Sequence, residues 1–327
     1  MAHAHAIRIH RNGGPEQLKY ELVEVGDPGP GEARVRHTAI GLNYIDIHHR
    51  TGRYPSAQFP LVLGMEAAGL VEAIGPDVNE VQVGDRVAYA AASPGADAEL
   101  RVMPVARLVR LPDWLNDTTA AAMMLKGLTA HYLLHGAYQV HRGETILIHA
   151  AAGGVGLIMC QWAKHMGAQV IGTVSTEEKA QLAHVNGCDH PIIYTKEDVV
   201  QRVRQLTGGV GLPVVYDSVG AATFDKSLKC LHRRGLLVSF GTSSGPIPPF
   251  DLFRLNLMGS LYVTSAGLAD YIHNRHELLE RADALFDAVE TGVVRIHINK
   301  RYPLAEAARA HCDLEARATL GSSLLIP

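Results

Sequence analysis

The chain has 327 residues, room for about two domains of ordinary size and for two apolar cores with a cleft between them. Its 30 Lys and Arg against 33 Asp and Glu leave a net charge of −3, which argues against non-specific binding to nucleic acid or to an anionic membrane. With 47% hydrophobic and 19% charged residues the chain is an ordinary globular one without long disorder, and its 32 glycines, well above the usual share of about 7%, point to tight turns or a glycine-lined ligand site.

The opening MAHAHAIRIH lacks the basic and apolar regions of a signal peptide, and His3, His5 and His10 read as a frayed lead-in to a first strand rather than as a chelating set. From Ile7 to about Arg110, short β-like runs are broken by the turn signals PGPGE, GPD and VGDRV, the pattern of an antiparallel, barrel-like β domain. After Leu111 and Pro112, Asn116 or Asp117 can cap a helix through TTAAAMMLKGLTAHYLL, whose apolar content suits burial. Strands then alternate with helices. The strands are predicted at 144–150, 169–175, 190–195, 212–220, 235–241 and 260–266, and the helices at roughly 155–166, 177–186, 197–206 and 222–232. This alternation means β-α-β units and a parallel sheet covered on both faces, one doubly wound α/β domain. Beyond it come a helix over about Glu277–Glu290, a strand-like RIHINKRYPL, a helix over Ala305–Arg317 and a final SSLLIP strand, which could return to the first domain and complete its sheet.

Ala151-Ala152-Gly153-Gly154-Val155-Gly156 matches the dinucleotide fingerprint with alanine in its first place. It follows the strand ETILIHA and opens the helix VGLIMCQWAKHM, the context the fingerprint requires. Gly153 removes a Cβ where a pyrophosphate must approach the backbone, Gly156 lets helix close on strand, and the helix N-terminus offers N–H donors. An acidic residue gripping the ribose of NAD should stand at the end of the next strand. Instead the text runs Thr173-Val174-Ser175-Thr176-Glu177-Glu178-Lys179. Small hydroxyls followed by a lysine suit a 2′-phosphate and hence NADPH, although Ser175 and Glu178 also fit a capping box and Lys179 a solvated helix position.

The strings NYID (43–46), GMEAAG (64–69), VGDRV, LKGLTA (125–130), AAAGGVG (150–156), VVYDSVG, VSFGTSSG and RATLGSSLLIP together make the chain resemble the NADPH-dependent quinone oxidoreductases, the zeta-crystallin-like, zinc-less branch of the medium-chain dehydrogenase/reductase superfamily. The likeness spans essentially the whole chain. It implies a discontinuous GroES-like catalytic domain (residues 1–125 and 265–327), a Rossmann NADPH-binding domain (126–264) and a homodimer joined through Rossmann edge strands. NADPH would lie in the interdomain cleft. The resemblance further implies cofactor contacts at Asn43, Tyr44, Asp46, Thr129, Gly153, Gly154, Val155, Gly156, Ser175, Thr176, Lys179, Tyr194, Ser218, Phe240, Gly241, Thr242, Ser243 and Arg317. Plainer readings stand beside these: Asn43 and Asp46 as turn residues, Tyr194 as a strand aromatic, Arg317 as a helix C-terminal cation.

Zinc members of that superfamily use a first-domain cysteine and a Gly-His-Glu motif. Here the corresponding text is Gly64-Met65-Glu66, and no cysteine precedes Cys160, so no metal is expected. The four cysteines lie far apart, which fits a reducing cytoplasm. Without a Lewis acid, hydride delivery to an aliphatic carbonyl must stabilise an alkoxide whose pKa resembles the ~15.7 of water. A quinone gives a phenolate-like anion of pKa ~10, so about 8 kcal/mol less charge needs stabilising. The expected activity is therefore metal-independent reduction of small-molecule quinones by NADPH, with Asn43 as an orienting amide and Tyr54 as a cleft-edge hydroxyl or mere loop packing. The alternatives are an NADPH-dependent alkene or enone reductase of the same fold and a structural or RNA-associated cofactor-binding protein. The acidic balance, the 6% aromatics and the lack of a basic stripe argue against RNA.

Overall fold

The computed structural model describes residues 2–56 and 58–327. Two compact units divide it: residues 1–128, 272–282 and 296–327 form the first, and 129–271 with 283–295 the second.

The first unit is built from β1 (Ala2–Ile9), β2 (Lys19–Val25), β3 (Glu32–Leu42), α1 (Tyr44–Thr51), β4 (Leu61–Val62), β5 (Glu66–Ile74), β6 (Arg86–Ala90), β7 (Leu100–Pro104), β8 (Val109–Arg110) and most of α2 (Asp117–Tyr132). The strand β1 begins at Ala2 and not at Ile7. It pairs antiparallel with β2 from Ala2↔Val25 to Arg8↔Lys19, and Ala4, Ala6, Ile7 and Ile9 are buried, so the expected frayed lead-in is ordered strand. The imidazole of His5 stacks on Tyr20 and His10 Nε2 lies 3.0 Å from Glu21 Oε1, so these histidines serve the sheet. Asn116 caps α2, its Oδ1 accepting from Thr119 N at 2.8 Å.

The second unit carries β9 (Thr145–Ile148), α3 (Gly154–His165), β10 (Gln169–Val174), α4 (Glu177–Val185), β11 (His190–Ile193), α5 (Val199–Leu206), β12 (Leu212–Asp217), α6 (Phe224–Cys230), β13 (Leu231–Ser239), α7 (Phe253–Leu257), β14 (Tyr262–Ser265) and α8 (Leu268–Tyr271). All its strands pair in parallel in the order β11-β10-β9-β12-β13-β14. Continuous apolar runs such as Ile146–Leu147–Ile148 are fully buried, as strands covered on both faces must be. The order reverses between β9 and β12, which makes the carboxyl ends of these strands a topological switch point where doubly wound sheets bind ligands.

After α9 (Arg275–Glu290) come β15 (Ile298–Pro303), α10 (Ala307–Glu315) and β16 (Ser322–Ile326). The last strand pairs antiparallel with β3 at Leu324↔Gly41 and parallel with β15, giving the first unit a seven-stranded sheet in the order β15-β16-β3-β5-β6-β8, while β7 also pairs with β3. The chain's return is therefore part of the first unit. Residues 265–271 and 283–295, which the sequence reading gave to that unit, belong to the second. There Tyr271 stacks on Tyr132 with ring centroids 4.3 Å apart, and Gln161 exchanges two hydrogen bonds with the Arg295 backbone.

Candidate active site

In the second unit the candidate residues gather at the carboxyl ends of the strands. Ala150, just past β9, has a left-handed backbone (φ +53°), and its carbonyl accepts the Gly153 N–H at 2.9 Å. A Cβ on Gly156 would stand 2.3 Å from that same carbonyl oxygen, whereas a Cβ on Gly153 would meet only it, at 3.2 Å. Gly156 is therefore needed for helix and strand to close, while Gly153 keeps open the space in front of α3. By helix geometry the first N–H groups of α3 lack intrahelical acceptors, so this turn is built to receive an anion.

The end of β10 differs from expectation in one detail. The cap of α4 is Thr176, whose side chain accepts from Lys179 N at 3.2 Å, so Ser175 is not in a capping box. Thr176 and Tyr194 are exposed, and Ser175 and Lys179 are partly so. Tyr194 N donates to Val174 O at 3.1 Å and Thr195 Oγ1 to Ser175 O at 3.0 Å, which sets Tyr194 beside the Ser175–Lys179 turn. Across the switch point, Phe240 N donates to Asp217 O at 2.9 Å and Ser243 N to Ser218 O at 3.2 Å, and a Cβ on Gly241 would come within 2.8 Å of Ser218 O. The Ser218 and Phe240–Ser243 turns thus lie against each other. Thr129 is buried within α2.

In the first unit Asn43 caps α1. It is buried: its Nδ2 donates to Gly41 O at 3.1 Å and Glu66 Oε2 at 2.8 Å, and its backbone N donates to Asp46 Oδ2 at 2.8 Å. Both amide protons are thus committed inward, and the side chain also accepts the Asp46 N–H in the capping box of α1. Asp46 is fully buried and accepts the Asn43 N–H, so in this structure it supports the cap. Tyr54 is 45% exposed, with its ring packed against His48 and His49 at 5.5 Å each, which is the loop-packing reading. Tyr44 lies where burial, and then the charge of Glu315, push its phenol upward while Arg317 pulls it down, so Arg317 stands near Tyr44. Arg317 is exposed and left-handed (φ +57°) just past α10, a helix tied to α1 by the Arg50 Nη2–Glu315 Oε1 pair at 2.7 Å.

Sequence reasoning missed the ion pair beneath this cap. Glu66 accepts from Leu125 N at 2.6 Å and from Lys126 Nζ at 3.1 Å, and both charged residues are buried. A Cβ on Gly41 would lie 2.2 Å from Glu66 Oε2, which explains that glycine. The signal available was a lysine in the otherwise apolar run AAAMMLKGLTA. Met65 is buried next to Glu66, and among the described residues no group of three His, Cys, Asp or Glu is placed to hold a metal.

Residues 29–113 match the family model for the alcohol dehydrogenase GroES-like domain, and residues 154–286 that for zinc-binding dehydrogenases. A quinone oxidoreductase of Pseudomonas aeruginosa is 52% identical over 324 residues, 99% of this chain and all of the relative. The chain belongs to the quinone oxidoreductases of the medium-chain dehydrogenase/reductase superfamily. Among other family members, a 2-haloacrylate reductase of a Burkholderia species is 46% identical over 98% of both chains. The crystal structure of Escherichia coli quinone oxidoreductase complexed with NADPH superimposes with a TM-score of 0.97 at 47% identity, covering all of each chain.

Proposed function

We propose that this quinone oxidoreductase family member reduces quinones with NADPH. One observation carries the reading: the end of β10 has Ser175 and Thr176 where an NAD-binding turn would have a carboxylate, with Lys179 following in the first turn of α4. The fit extends along the crevice. The open face at Gly153 and the N-terminus of α3 suit the pyrophosphate, and Tyr194 and the Ser218 and Phe240–Ser243 turns line the remaining rim. When bound, NADPH supplies a hydride. The chain's own residues hold and orient it, and Met65 in place of an imidazole leaves charge stabilisation to hydrogen bonds, which favours an acceptor whose product anion is weakly basic.

A second reading, reduction of an activated alkene, is favoured by the 46% identity to a 2-haloacrylate reductase, since its product anion is also delocalised. NADPH oxidation with 1,4-benzoquinone, an α,β-unsaturated acid and a saturated aldehyde separates them. The quinone should exceed the aldehyde by at least ~100-fold, a conservative part of the ~8 kcal/mol difference in anion stability. Comparable rates would refute the assignment.

The partner is a second copy of the chain. β14 is an edge strand of the parallel sheet, and Leu252, Phe253, Leu257 and Tyr262 on and near it are 60–72% exposed, an apolar edge of the kind that pairs across a two-fold axis. None of the four cysteines is in a disulfide, which suits the reducing cytoplasm.

A further inference from the structure

A chain of buried side chains runs under the cofactor crevice, and nothing in the function so far uses it. Asp217, at the end of β12, accepts through Oδ1 from Val219 N (2.8 Å), Gly220 N (3.1 Å) and Thr223 Oγ1 (2.8 Å). Its Oδ2 accepts from Ser227 Oγ of α6 at 2.7 Å. Ser227 Oγ lies 3.0 Å from His149 Nε2, and His149 Nδ1 lies 2.9 Å from Thr173 Oγ1 on β10. All four residues are at least 98% buried.

The proton order follows from the acceptor at one end. Ser227 has a single hydroxyl proton, and the Asp217 carboxylate takes it, so Ser227 must accept from His149 Nε2–H. Burial holds the imidazole below its ordinary range and therefore neutral, which leaves Nδ1 to accept from Thr173 Oγ1–H. Every donor runs one way, from β10 through β9 to the Asp217 loop. The order is carboxylate, hydroxyl, imidazole, hydroxyl. It is not that of a nucleophilic triad, in which the imidazole stands between the acid and the hydroxyl.

We infer that His149 is a positioning residue for the dinucleotide: by joining Thr173 to Ser227 it fixes three crevice turns against one another. Each link ends where a turn begins. His149 directly precedes Ala150–Gly156, Thr173 stands two residues before Ser175, and Asp217 shapes Ser218–Gly220 through its own backbone bonds. The inference rests on the NADPH reading above and says how that site is held in register.

The test uses full-length protein and titrates NADPH, and separately NADH, by direct fluorescence with no quinone present. The variants are Ser227→Ala, Thr173→Val and His149→Phe. Ser227→Ala and His149→Phe should each weaken NADPH binding by about tenfold, the worth of a strong hydrogen bond. NADH should weaken by the same factor, since the whole rim loosens and the 2′-phosphate pocket is not singled out. Ser227→Ala combined with His149→Phe should bind no worse than the weaker of the two singles, and KM for quinone at saturating NADPH should stay within about twofold. If His149→Phe does not fold, the two hydroxyl variants carry the test. Wild-type protein that binds NADPH while every folded variant binds it equally well, with only the melting temperature lowered, overturns the positioning role and leaves the NADPH reading intact. Wild-type protein that binds no NADPH overturns both.

Discussion

Replacing Asp97 with asparagine should change how the first unit's stability depends on pH. Asp97 is fully buried, and among the described residues neither of its carboxylate oxygens has a hydrogen-bond partner. Close by, Gly64 has φ +87°, and a Cβ there would stand 2.3 Å from Asp97 Oδ1. Burial pushes the Asp97 carboxyl up to about 7, and burial followed by the charge of Asp97 pushes Asp46 well above the carboxylate range. The unfolded chain releases this proton near pH 4 and the folded chain only near pH 7. Between those values the folded state binds one more proton, so stability falls as pH rises. At about 1.4 kcal/mol per pH unit over about three units, the loss is about 4 kcal/mol. Asp97→Asn cannot titrate, and whatever burying its amide costs is the same at every pH. The stability difference between variant and wild type should therefore swing toward the variant by up to about 4 kcal/mol from pH 4 to pH 8, with an Asp46 also easier to ionise. Urea unfolding followed by circular dichroism at four or five pH values measures the swing. Parallel curves for the two proteins would refute the argument.

Lys126→Met should cost about 3–5 kcal/mol by leaving Glu66 buried without its cation, and adding Glu66→Gln should recover most of it, as thermal unfolding of the three proteins would show. Gly156→Ala should lower the melting temperature because its Cβ meets backbone at 2.3 Å, whereas Gly153→Ala should fold normally yet weaken NADPH in a binding titration. Lys179→Ala should erode the preference for NADPH over NADH by roughly 1.5–3 kcal/mol, read as the ratio of kcat/KM values; an unchanged ratio would exclude the lysine from the 2′-phosphate site.

The second unit was legible because each parallel strand is a short apolar run covered on both faces. All six predicted strands exist, trimmed at their C-terminal ends where the turns begin, as at Ile148 and Asp217, while β13 starts earlier than predicted, at Leu231. The return of the chain to the first sheet was an open alternative in the sequence. The pairing of Leu324 with Gly41 spans nearly the whole chain, and no local pattern encodes a partner so far away. Ser175 and Thr176 are both good caps with a glutamate or lysine three residues on, so the cap's place is decided by the path of the chain out of β10 and not by residue type. Asn43 was visible as a special residue, but its inward commitment to Gly41 and Glu66 depends on a strand 23 residues away. His149 ends the run Ile146-Leu147-Ile148 and was not singled out, because the partners that give it a role lie on two other elements.

A carboxylate stands at the end of β12 and none at the end of β10, and the same physics accounts for both. Negative charge beside a phosphate is costly unless it is already neutralised by donors. Asp217 meets that condition, because four hydrogen bonds from its own loop and from α6 occupy its oxygens within the protein. At the end of β10 the equivalent position faces outward, with Thr176 exposed and Ser175 partly so. A carboxylate there would have only the ribose hydroxyls to neutralise it and would repel a 2′-phosphate. A serine and a threonine at the strand end spare it that repulsion, and the Glu177 and Glu178 that follow lie in the first turn of α4, Glu177 paired with Lys196 Nζ at 2.7 Å, so one buried acid at β12 and none at the end of β10 are compatible with the same cofactor.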